Sequence, residues 1–184
     1  GFSLHSEIVA PYLLKYGTDE QKANYLPRMA RGEIIGAIAM SEPGVGSDLQ
    51  SVKTNAVKDG EGCYTVNGAK TFITNGQNAN LIIVACRTVA ADGANAAETK
   101  GAKGMSLLAL ETEGAQGFRR GRMLDKIGLK SQDTSELFFD DVRVPAANLL
   151  GGGEGQGFFQ LMQELPQERL MVALGGIGAM ERAL

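Results

Sequence analysis

The spacing of apolar residues along this 184-residue chain changes twice, and this change most constrains the fold. Residues 2–32 place apolar side chains at helical spacing, residues 34–144 follow the rhythm of strands, and the helical spacing returns from residue 155 onward. Several short strands with no helices between them favour a barrel or sandwich over a parallel sheet. We therefore predict an α+β chain, with a central antiparallel β-barrel or β-sandwich flanked by helices.

Local signals place the boundaries of the first helices. Gly17 is suited to ending one helix, and Thr18 with Gln21 has the form of a capping box that begins the next. Pro11 and Pro27 indicate that both helices are short or bent, because proline lacks the amide hydrogen that a helix interior uses.

The central region contains apolar runs that predict strands at residues 34–40, 63–66, 69–74, 81–86, 105–112 and 135–144. The pair Asn67–Gly68 separates two of these runs and predicts a tight hairpin. Residues 81–86 are apolar throughout, which is typical of a strand buried on both faces. The alanine- and glycine-rich residues 90–103 predict an exposed, mobile loop.

The first strand is followed by the sequence Ser41-Glu-Pro-Gly-Val-Gly-Ser-Asp48. Pro43 and Gly44 predict a turn, and Gly46 allows a ligand to approach the backbone closely. Amide groups in such a turn can face a phosphate. The glycine spacing fits neither a P-loop nor a dinucleotide fingerprint. On composition alone, an ordinary loop and a ligand-binding loop both remain open.

A second candidate segment, Lys70-Thr-Phe-Ile-Thr-Asn-Gly76, ends a predicted strand. Phe72 and Thr74 share one face of that strand, so an aromatic ring and a hydroxyl can line one flat pocket. A half-buried strand with one core aromatic residue explains the same pattern. Basic residues between 119 and 130 suit either cofactor phosphates or a solvated face. These residues are Arg119, Arg120, Arg122, Lys126 and Lys130.

In the last helical segment, Glu164 and Glu168 are four residues apart and therefore share one helical face. A helical glutamate is more often a solvated residue than a catalytic one. The residues themselves do not separate Glu168 from the other acidic residues. Pro166 predicts a kink or a break in this helix.

Composition argues against several classes of protein. A net charge of -3 does not suit nucleic-acid binding, which calls for a basic surface. Two cysteines do not make a disulfide framework, and one histidine without a CxxC pair does not suit a structural zinc site. No apolar run approaches the length of a membrane-spanning helix. We therefore predict no metal, no nucleic-acid partner and no membrane span.

Taken in order, these motifs resemble those of the acyl-CoA dehydrogenase family, over nearly the whole chain. Residues 16–27 resemble the end of the family's N-terminal helical domain, and residues 39–51 match its flavin signature. Residues 72–76, Phe-Ile-Thr-Asn-Gly, are similar to the strand that packs on the flavin ring. Residues 138–145 resemble the last barrel strand, and residues 155–158 resemble the entry to the C-terminal helical bundle.

The resemblance implies three segments. Residues 1–35 would end the N-terminal helical domain, residues 36–150 would form the middle β-barrel domain, and residues 151–184 would begin the C-terminal helical domain. Residues 164–170, Glu-Leu-Pro-Gln-Glu-Arg-Leu, are most similar to long-chain members of the family. Because the chain starts at Gly1 and stops within a predicted helix, we expect it to be a fragment of a longer protein.

The resemblance also implies an activity, the α,β-dehydrogenation of an acyl-CoA thioester to the trans-2-enoyl-CoA. FAD is the implied oxidant, and electron-transfer flavoprotein is the implied acceptor of its electrons. The implied assembly is a homotetramer in a bacterial cytoplasm or, in a eukaryote, in the mitochondrial matrix. The 184 residues alone are expected to be inactive. An acyl-CoA oxidase and a non-catalytic flavin- or CoA-binding subunit are the alternatives.

Site residues are implied at the positions that match the family's motifs. The implied FAD contacts are Ile38, Ala39, Met40, Ser41, Gly46, Ser47, Phe72, Ile73 and Thr74. The implied acyl-CoA contacts are Ser47, Phe159, Pro166, Gln167, Glu168 and Arg169. Glu168 is implied as the catalytic base, because long-chain and isovaleryl-type members carry their base on this helix. Arg169 would orient the base or the bound thioester.

Two positions depart from the family's pattern. Phe72 stands where many members have tryptophan, so we expect weaker stacking on the flavin. Phe159 stands where long-chain relatives have tyrosine, so we expect one polar contact to the substrate to be absent. Neither change alters the implied chemistry.

Overall fold

The computed structural model describes residues 1–90 and 100–184. A π-helical turn, Leu4–Val9, runs directly into helix α1, Ala10–Tyr16, and helix α2 spans Asp19–Ala30. A curled sheet follows, and helix α3, Gly157–Ala183, comes last. The strands of the sheet are β1 (Gly36–Ala39), β2 (Asn55–Lys58), β3 (Cys63–Thr74), β4 (Leu81–Ala90), β5 (Met105–Glu111), β6 (Phe118–Met123) and β7 (Thr134–Pro145). Most of the mobile loop predicted at 90–103 lies outside the described residues.

The predicted boundaries of the first helices are confirmed. Gly17 ends α1, and Thr18 caps α2. The Thr18 hydroxyl accepts a hydrogen bond from the Gln21 amide at 3.2 Å, and the Thr18 amide donates to Gln21 Oε1 at 2.9 Å. Both halves of the capping box are therefore formed. The two helices are short, at 7 and 12 residues, with Pro11 in the first turn of α1 and Pro27 inside α2.

The sheet is mixed, with β4 at its centre. β5 pairs antiparallel along one edge of β4, whereas β1 and then β2 pair parallel with it. β2, β3, β7 and β6 continue the sheet in antiparallel pairs. The predicted α+β fold is confirmed, but the expectation of an entirely antiparallel sheet is wrong. The chain reverses between β2 and β3 and again before β4, so β4 returns in the direction of β1 and β2.

The hairpin predicted at Asn67–Gly68 does not form. β3 runs through both residues as one strand of 12 residues, and its register with β7 shifts between Val66 and Gly68. A Cβ atom on Gly68 would lie 2.4 Å from Thr54 Oγ1, and Gly68 has a φ of +152°. The glycine therefore serves a bulge where another segment of backbone approaches closely.

Strand β4 separates two apolar clusters. Leu81, Ile83 and Ala85 pack towards the helices, together with α1 residues such as Leu13. The alternate residues Ile82, Val84 and Cys86 pack on the other face, against side chains of β3, β5 and β7. All six β4 side chains are at most 1% exposed. The prediction that this strand is buried on both faces is confirmed.

Helix α3 continues through Pro166 as one helix of 27 residues, so of the predicted kink or break at this proline, the break does not occur. Its first turns pack against α1, β5 and the π-helical turn, and Leu161 there is fully buried. Further along, apolar side chains such as Leu170, at 52%, and Met180, at 62%, are exposed. None of the described helices has both the length and the apolar character to cross a bilayer.

Candidate functional site

The predicted flavin loop leaves the sheet between two strands that share one edge. β1 ends at Ala39, which lies opposite Val84 of β4, and β2 begins at Asn55, which lies opposite Arg87 of the same strand. Residues 40–54 therefore project from the sheet where β1 gives way to β2. The sequence locates the loop, but the shared edge on β4 is a property of the tertiary structure.

A buried ion pair holds the start of this loop. Lys70 Nζ, on β3, lies 2.9 Å from Glu42 Oε1 and 3.0 Å from the Met40 carbonyl oxygen. Glu42 also accepts hydrogen bonds from the amides of Lys53 and Thr54, at 2.8 and 2.9 Å. Glu42 therefore connects the start of the loop to its end at Lys53 and Thr54, and Lys70 connects the loop to β3. The sequence does not predict this pair, because a lysine within a strand carries no local signal of its partner.

The loop and the end of β3 meet next to Ser41. The Thr71 amide donates a hydrogen bond to the Ser41 carbonyl at 3.0 Å. The next residue, Phe72, has a φ of +59° and a side chain that is 69% exposed. A positive φ is rare for an aromatic residue, costs about 1–3 kcal/mol and is commonest at ligand sites. The structure thus joins Ser41 to β3 at Thr71, directly before Phe72, with the half-buried Thr74 two residues further along the strand.

The other residues predicted to contact FAD differ in exposure. Ile38, Ala39 and Ile73 are 6%, 0% and 2% exposed, and their side chains belong to the two apolar clusters. These three residues therefore present almost no surface to a ligand in this chain. Met40 is half-buried, whereas Gly46 and Ser47 are exposed in the loop.

Glu164 and Glu168 of α3 face α1, and they have different partners. Glu164 and Glu168 are only 3% and 8% exposed. Glu164 Oε2 lies 2.7 Å from Lys15 Nζ, and Glu164 Oε1 accepts a hydrogen bond from the Tyr16 hydroxyl at 2.7 Å. Glu168 Oε1 accepts one from the Tyr12 hydroxyl at 2.8 Å. Glu164 therefore has a cationic partner, whereas Glu168 has a neutral one.

Burial raises the pKa of Glu168 above its ordinary value of 4.5, because desolvation disfavours the charged carboxylate. The hydrogen bond from Tyr12 acts in the opposite direction, and the charge of Glu164 adds to the rise. Burial, and then the charge of Glu168, raise the pKa of Tyr12, so its hydroxyl remains a donor. A buried carboxylate with a raised pKa has the properties of a general base.

The remaining residues predicted to contact acyl-CoA lie on the outside of α3. Phe159 is 48% exposed, and Pro166, Gln167 and Arg169 are exposed as well. The side chains in the first four turns of α3 form hydrogen bonds with α1 and with the backbone just before α3. In the described residues, no hydrogen bond joins α3 to the flavin loop or to Phe72. The two predicted groups are therefore not joined by a hydrogen bond, although Val45 of the loop and Leu161 of α3 belong to one apolar cluster.

The basic residues of the 119–130 region are engaged within the protein. Arg120 donates to the carbonyl oxygens of Gly76 and Ala79, at 3.2 and 2.7 Å. The Arg119 guanidinium lies 4.2 Å from the centre of the Phe138 ring. These contacts favour a structural role for both arginines. The described residues contain no group of three or more histidine, cysteine or acidic side chains that could hold a metal ion.

Comparison with known proteins identifies the family. The sequence profile described as "Acyl-CoA dehydrogenase, middle domain" matches residues 37–142, and "Acyl-CoA dehydrogenase, N-terminal domain" matches residues 1–33. The chain belongs to the acyl-CoA dehydrogenase family.

Individual relatives agree with this assignment. The mitochondrial long-chain specific acyl-CoA dehydrogenase of Sus scrofa is 54% identical over 181 residues, which cover 98% of this chain and 40% of the relative. The mitochondrial isovaleryl-CoA dehydrogenase of Pongo abelii is 40% identical over 183 residues, covering 100% of this chain and 41% of the relative. The crystal structure of an acyl-CoA dehydrogenase from Geobacillus kaustophilus aligns with a TM-score of 0.85 and 55% identity, over 94% of this chain and 43% of that one. The chain therefore spans about 40% of the length of its curated relatives.

Acyl-CoA dehydrogenases are FAD-dependent oxidoreductases. The residues around Ser41 suit a flavin in their chemistry. The exposed Phe72 ring offers a flat apolar surface, and the hydroxyls of Ser41, Ser47 and Thr74 offer polar groups nearby in the sequence motifs. An exposed aromatic side chain at a strained backbone position would suit a planar ligand packed against it.

Proposed function

We propose that this chain is part of an enzyme that converts acyl-CoA thioesters to trans-2-enoyl-CoA. The observation that carries the proposal is the buried carboxylate of Glu168, whose partner is a tyrosine hydroxyl and not a cation. The names of the relatives supply the substrate class, since they are long-chain and isovaleryl-CoA dehydrogenases.

Glu168 is the base in this proposal. Its carboxylate removes the proton from the α-carbon, and this step needs a base whose pKa is raised by a dry pocket. Bound FAD would accept the hydride that leaves the β-carbon. Arg169, which follows the base, would orient the carboxylate or the thioester. Glu164 is less suited to the role, because Lys15 neutralises its charge at 2.7 Å.

The loop and β3 would hold the flavin. The hydrogen bond between the Ser41 carbonyl and the Thr71 amide, directly before Phe72, supports the assignment of Ser41 and Phe72–Thr74 to one cofactor site. Ile38 through Met40, Gly46 and Ser47 complete the proposed FAD contacts, and Ser47 would also reach the acyl-CoA. Phe159, Pro166 and Gln167 would border the thioester pocket with the base. Phe72 in place of tryptophan offers a smaller stacking surface.

The test is the substitution Glu168→Gln in the complete enzyme, which keeps the size of the side chain and removes the base. Anaerobic flavin reduction by a series of acyl-CoAs is followed by the loss of flavin absorbance. We expect the rate constant to fall by roughly 10²–10⁴-fold, the usual contribution of a general base. Glu164→Gln, on the same face of α3, is the matched control and should stay within about tenfold of the wild type. An unchanged rate in Glu168→Gln would show that Glu168 is not the base, whereas no flavin reduction in the wild type itself would favour the non-catalytic alternative.

We further propose that electron-transfer flavoprotein reoxidises the reduced flavin. Family membership supports this acceptor. Stopped-flow mixing of the reduced enzyme with air-saturated buffer, or with electron-transfer flavoprotein, separates a dehydrogenase from an acyl-CoA oxidase. Fast reoxidation by oxygen would contradict the proposal.

The proposed assembly is a homotetramer, in the mitochondrial matrix of a eukaryote or the cytoplasm of a bacterium. The mitochondrial names of the Sus scrofa and Pongo abelii relatives support the first location. We expect the 184 residues alone to be inactive and to hold FAD poorly, since they span about 40% of a relative's length. A flavin absorption spectrum in this purified chain would contradict that expectation.

A further inference from the structure

Glu168 is held by a residue from the opposite end of the chain. Tyr12 lies on α1, 156 residues before Glu168, and its side chain is 0% exposed. Its hydroxyl donates to Glu168 Oε1 at 2.8 Å. In the described part of the chain, Oε2 of Glu168 accepts no hydrogen bond. One carboxylate oxygen is therefore held by a hydrogen bond, and the other is not.

We propose that Tyr12 is a positioning residue for Glu168, holding Oε1 so that Oε2 is presented to the α-proton of the substrate. The inference rests on the proposed function of Glu168 as the base. Tyr12 touches neither the substrate nor the flavin in this proposal, and it acts only through the carboxylate.

The surroundings of Tyr12 make its hydroxyl a well-placed donor. Its ring belongs to the apolar cluster between the helices and β4, and its centre lies 6.0 Å from that of Tyr16. A ring packed on all sides has little freedom, whereas a glutamate side chain has three rotatable bonds. A base must be held within about 0.5 Å of its working position to be effective. A hydrogen bond from a rigid ring supplies that restraint.

The charged and titratable groups that face Glu168 come from both packed helices. From α1, Tyr12 donates to Glu168, and from α3, Glu164 and Arg169 act on it through their charges. Lys15 and Tyr16 engage Glu164 one turn away. The Tyr12 hydrogen bond favours the charged carboxylate, whereas the Glu164 charge disfavours it. Removing the Tyr12 hydroxyl therefore raises the pKa of Glu168.

The experiment uses the complete FAD-containing enzyme and the variant Tyr12→Phe. This variant keeps the buried ring and removes only the hydroxyl. Tyr25→Phe is the matched control, because Tyr25 is also buried and donates at 2.8 Å to a glutamate, Glu111 on β5. The first measurement is the pH dependence of the rate constant for flavin reduction by acyl-CoA. The second is the pH midpoint of Glu168 protonation, measured by infrared difference spectroscopy and called the infrared midpoint below. The carboxyl band of Glu168 is assigned by its loss in Glu168→Gln.

We expect Tyr12→Phe to lower the rate constant near neutral pH by about tenfold, as is typical for loss of a hydrogen bond to a charged group. The acid limb of its pH profile and the infrared midpoint should both move to higher pH. Tyr25→Phe should change neither the acid limb of the pH profile nor the infrared midpoint. Replacing tyrosine by 3-fluorotyrosine, a stronger donor, should move the infrared midpoint to lower pH in the wild type but not in the Tyr12→Phe background. Flavin absorbance and the thermal unfolding midpoint establish that each variant is folded.

The outcomes separate the two proposals. If Glu168→Gln abolishes flavin reduction while Tyr12→Phe matches the wild type in both measurements, the role of Tyr12 is overturned and the base assignment stands. If Glu168→Gln reduces its flavin at the wild-type rate, the base assignment itself fails, and the positioning role falls with it. An infrared midpoint that moves to lower pH in Tyr12→Phe also overturns the role of Tyr12.

Discussion

Lys70 of β3 and Glu42 of the loop after β1 form an ion pair of 2.9 Å whose side chains are 0% and 5% exposed. Burying two charges costs several kcal/mol for each ion, and pairing offsets this cost only when further hydrogen bonds complete the site. The Met40 carbonyl and the amides of Lys53 and Thr54 supply those bonds. The pair therefore fixes where the proposed flavin loop meets β3.

Breaking this pair should strongly destabilise the protein. We expect Lys70→Met and Glu42→Gln each to lower the free energy of unfolding by about 3–5 kcal/mol, because each leaves a buried group without its partner. The loss of unfolding free energy in the double variant should be smaller than the sum of the losses in the two single variants. Denaturant unfolding of all four proteins measures the coupling. Lys130→Met, which breaks an exposed pair with Asp125, is the control, with an expected loss of at most about 1 kcal/mol. Equal losses in Lys70→Met and Lys130→Met would contradict this account.

The same pair makes part of the stability depend on pH. Burial would raise the pKa of Glu42, but the charge of Lys70 and the hydrogen bonds of Thr54 and Lys53 outweigh it and hold the pKa below 4.5. A folded-state pKa below the unfolded value contributes stability that is present above the unfolded pKa and lost as the pH falls through the folded one. The difference in unfolding free energy between the wild type and Glu42→Gln should therefore shrink from about pH 5 downward. A difference that stays constant into strong acid would show that folding does not lower the pKa of Glu42.

Removing the Phe72 ring should weaken FAD binding without unfolding the protein. The side chain is 69% exposed, so Phe72→Ala removes little from the core. Loss of one aromatic stacking partner corresponds to about tenfold in the dissociation constant. Titration of the FAD-free complete enzyme with FAD, followed by flavin fluorescence, measures it. Leu14→Ala, at an apolar position of α1 that is 60% exposed, is the control and should leave the affinity unchanged. Equal affinities for FAD in Phe72→Ala and Leu14→Ala would show that Phe72 is not part of the cofactor site.

Features fixed by neighbouring residues could be predicted from the sequence. The capping box of Thr18 and Gln21 depends on two residues three apart, and it forms as predicted. The apolar run within β4 requires burial on both faces, which the structure confirms. Strand β6 was not predicted, because its sequence, Phe-Arg-Arg-Gly-Arg-Met, lacks an apolar face.

Features that depend on distant partners could not be predicted in this way. Asn67–Gly68 is a strong local signal for a hairpin, yet pairing with β2 on one side and β7 on the other carries β3 straight through it. Pro166 lacks one helical hydrogen bond, yet α3 continues, with Leu161 and Glu164 buried before the proline and Glu168 after it. In both cases many tertiary contacts outweigh one local preference.

The sequence by itself determined the order of helical and strand segments, the position of the proposed flavin loop, and the placement of Glu164 and Glu168 on one helical face. Periodicity and turn chemistry act within a few residues, and this range is enough for those features. Only the tertiary structure decided that Lys70 joins Glu42, that Lys15 neutralises Glu164, and that Tyr12 alone among these side chains donates to Glu168. These contacts join residues 28 to 156 positions apart, so they exist only once the sheet and helices have packed.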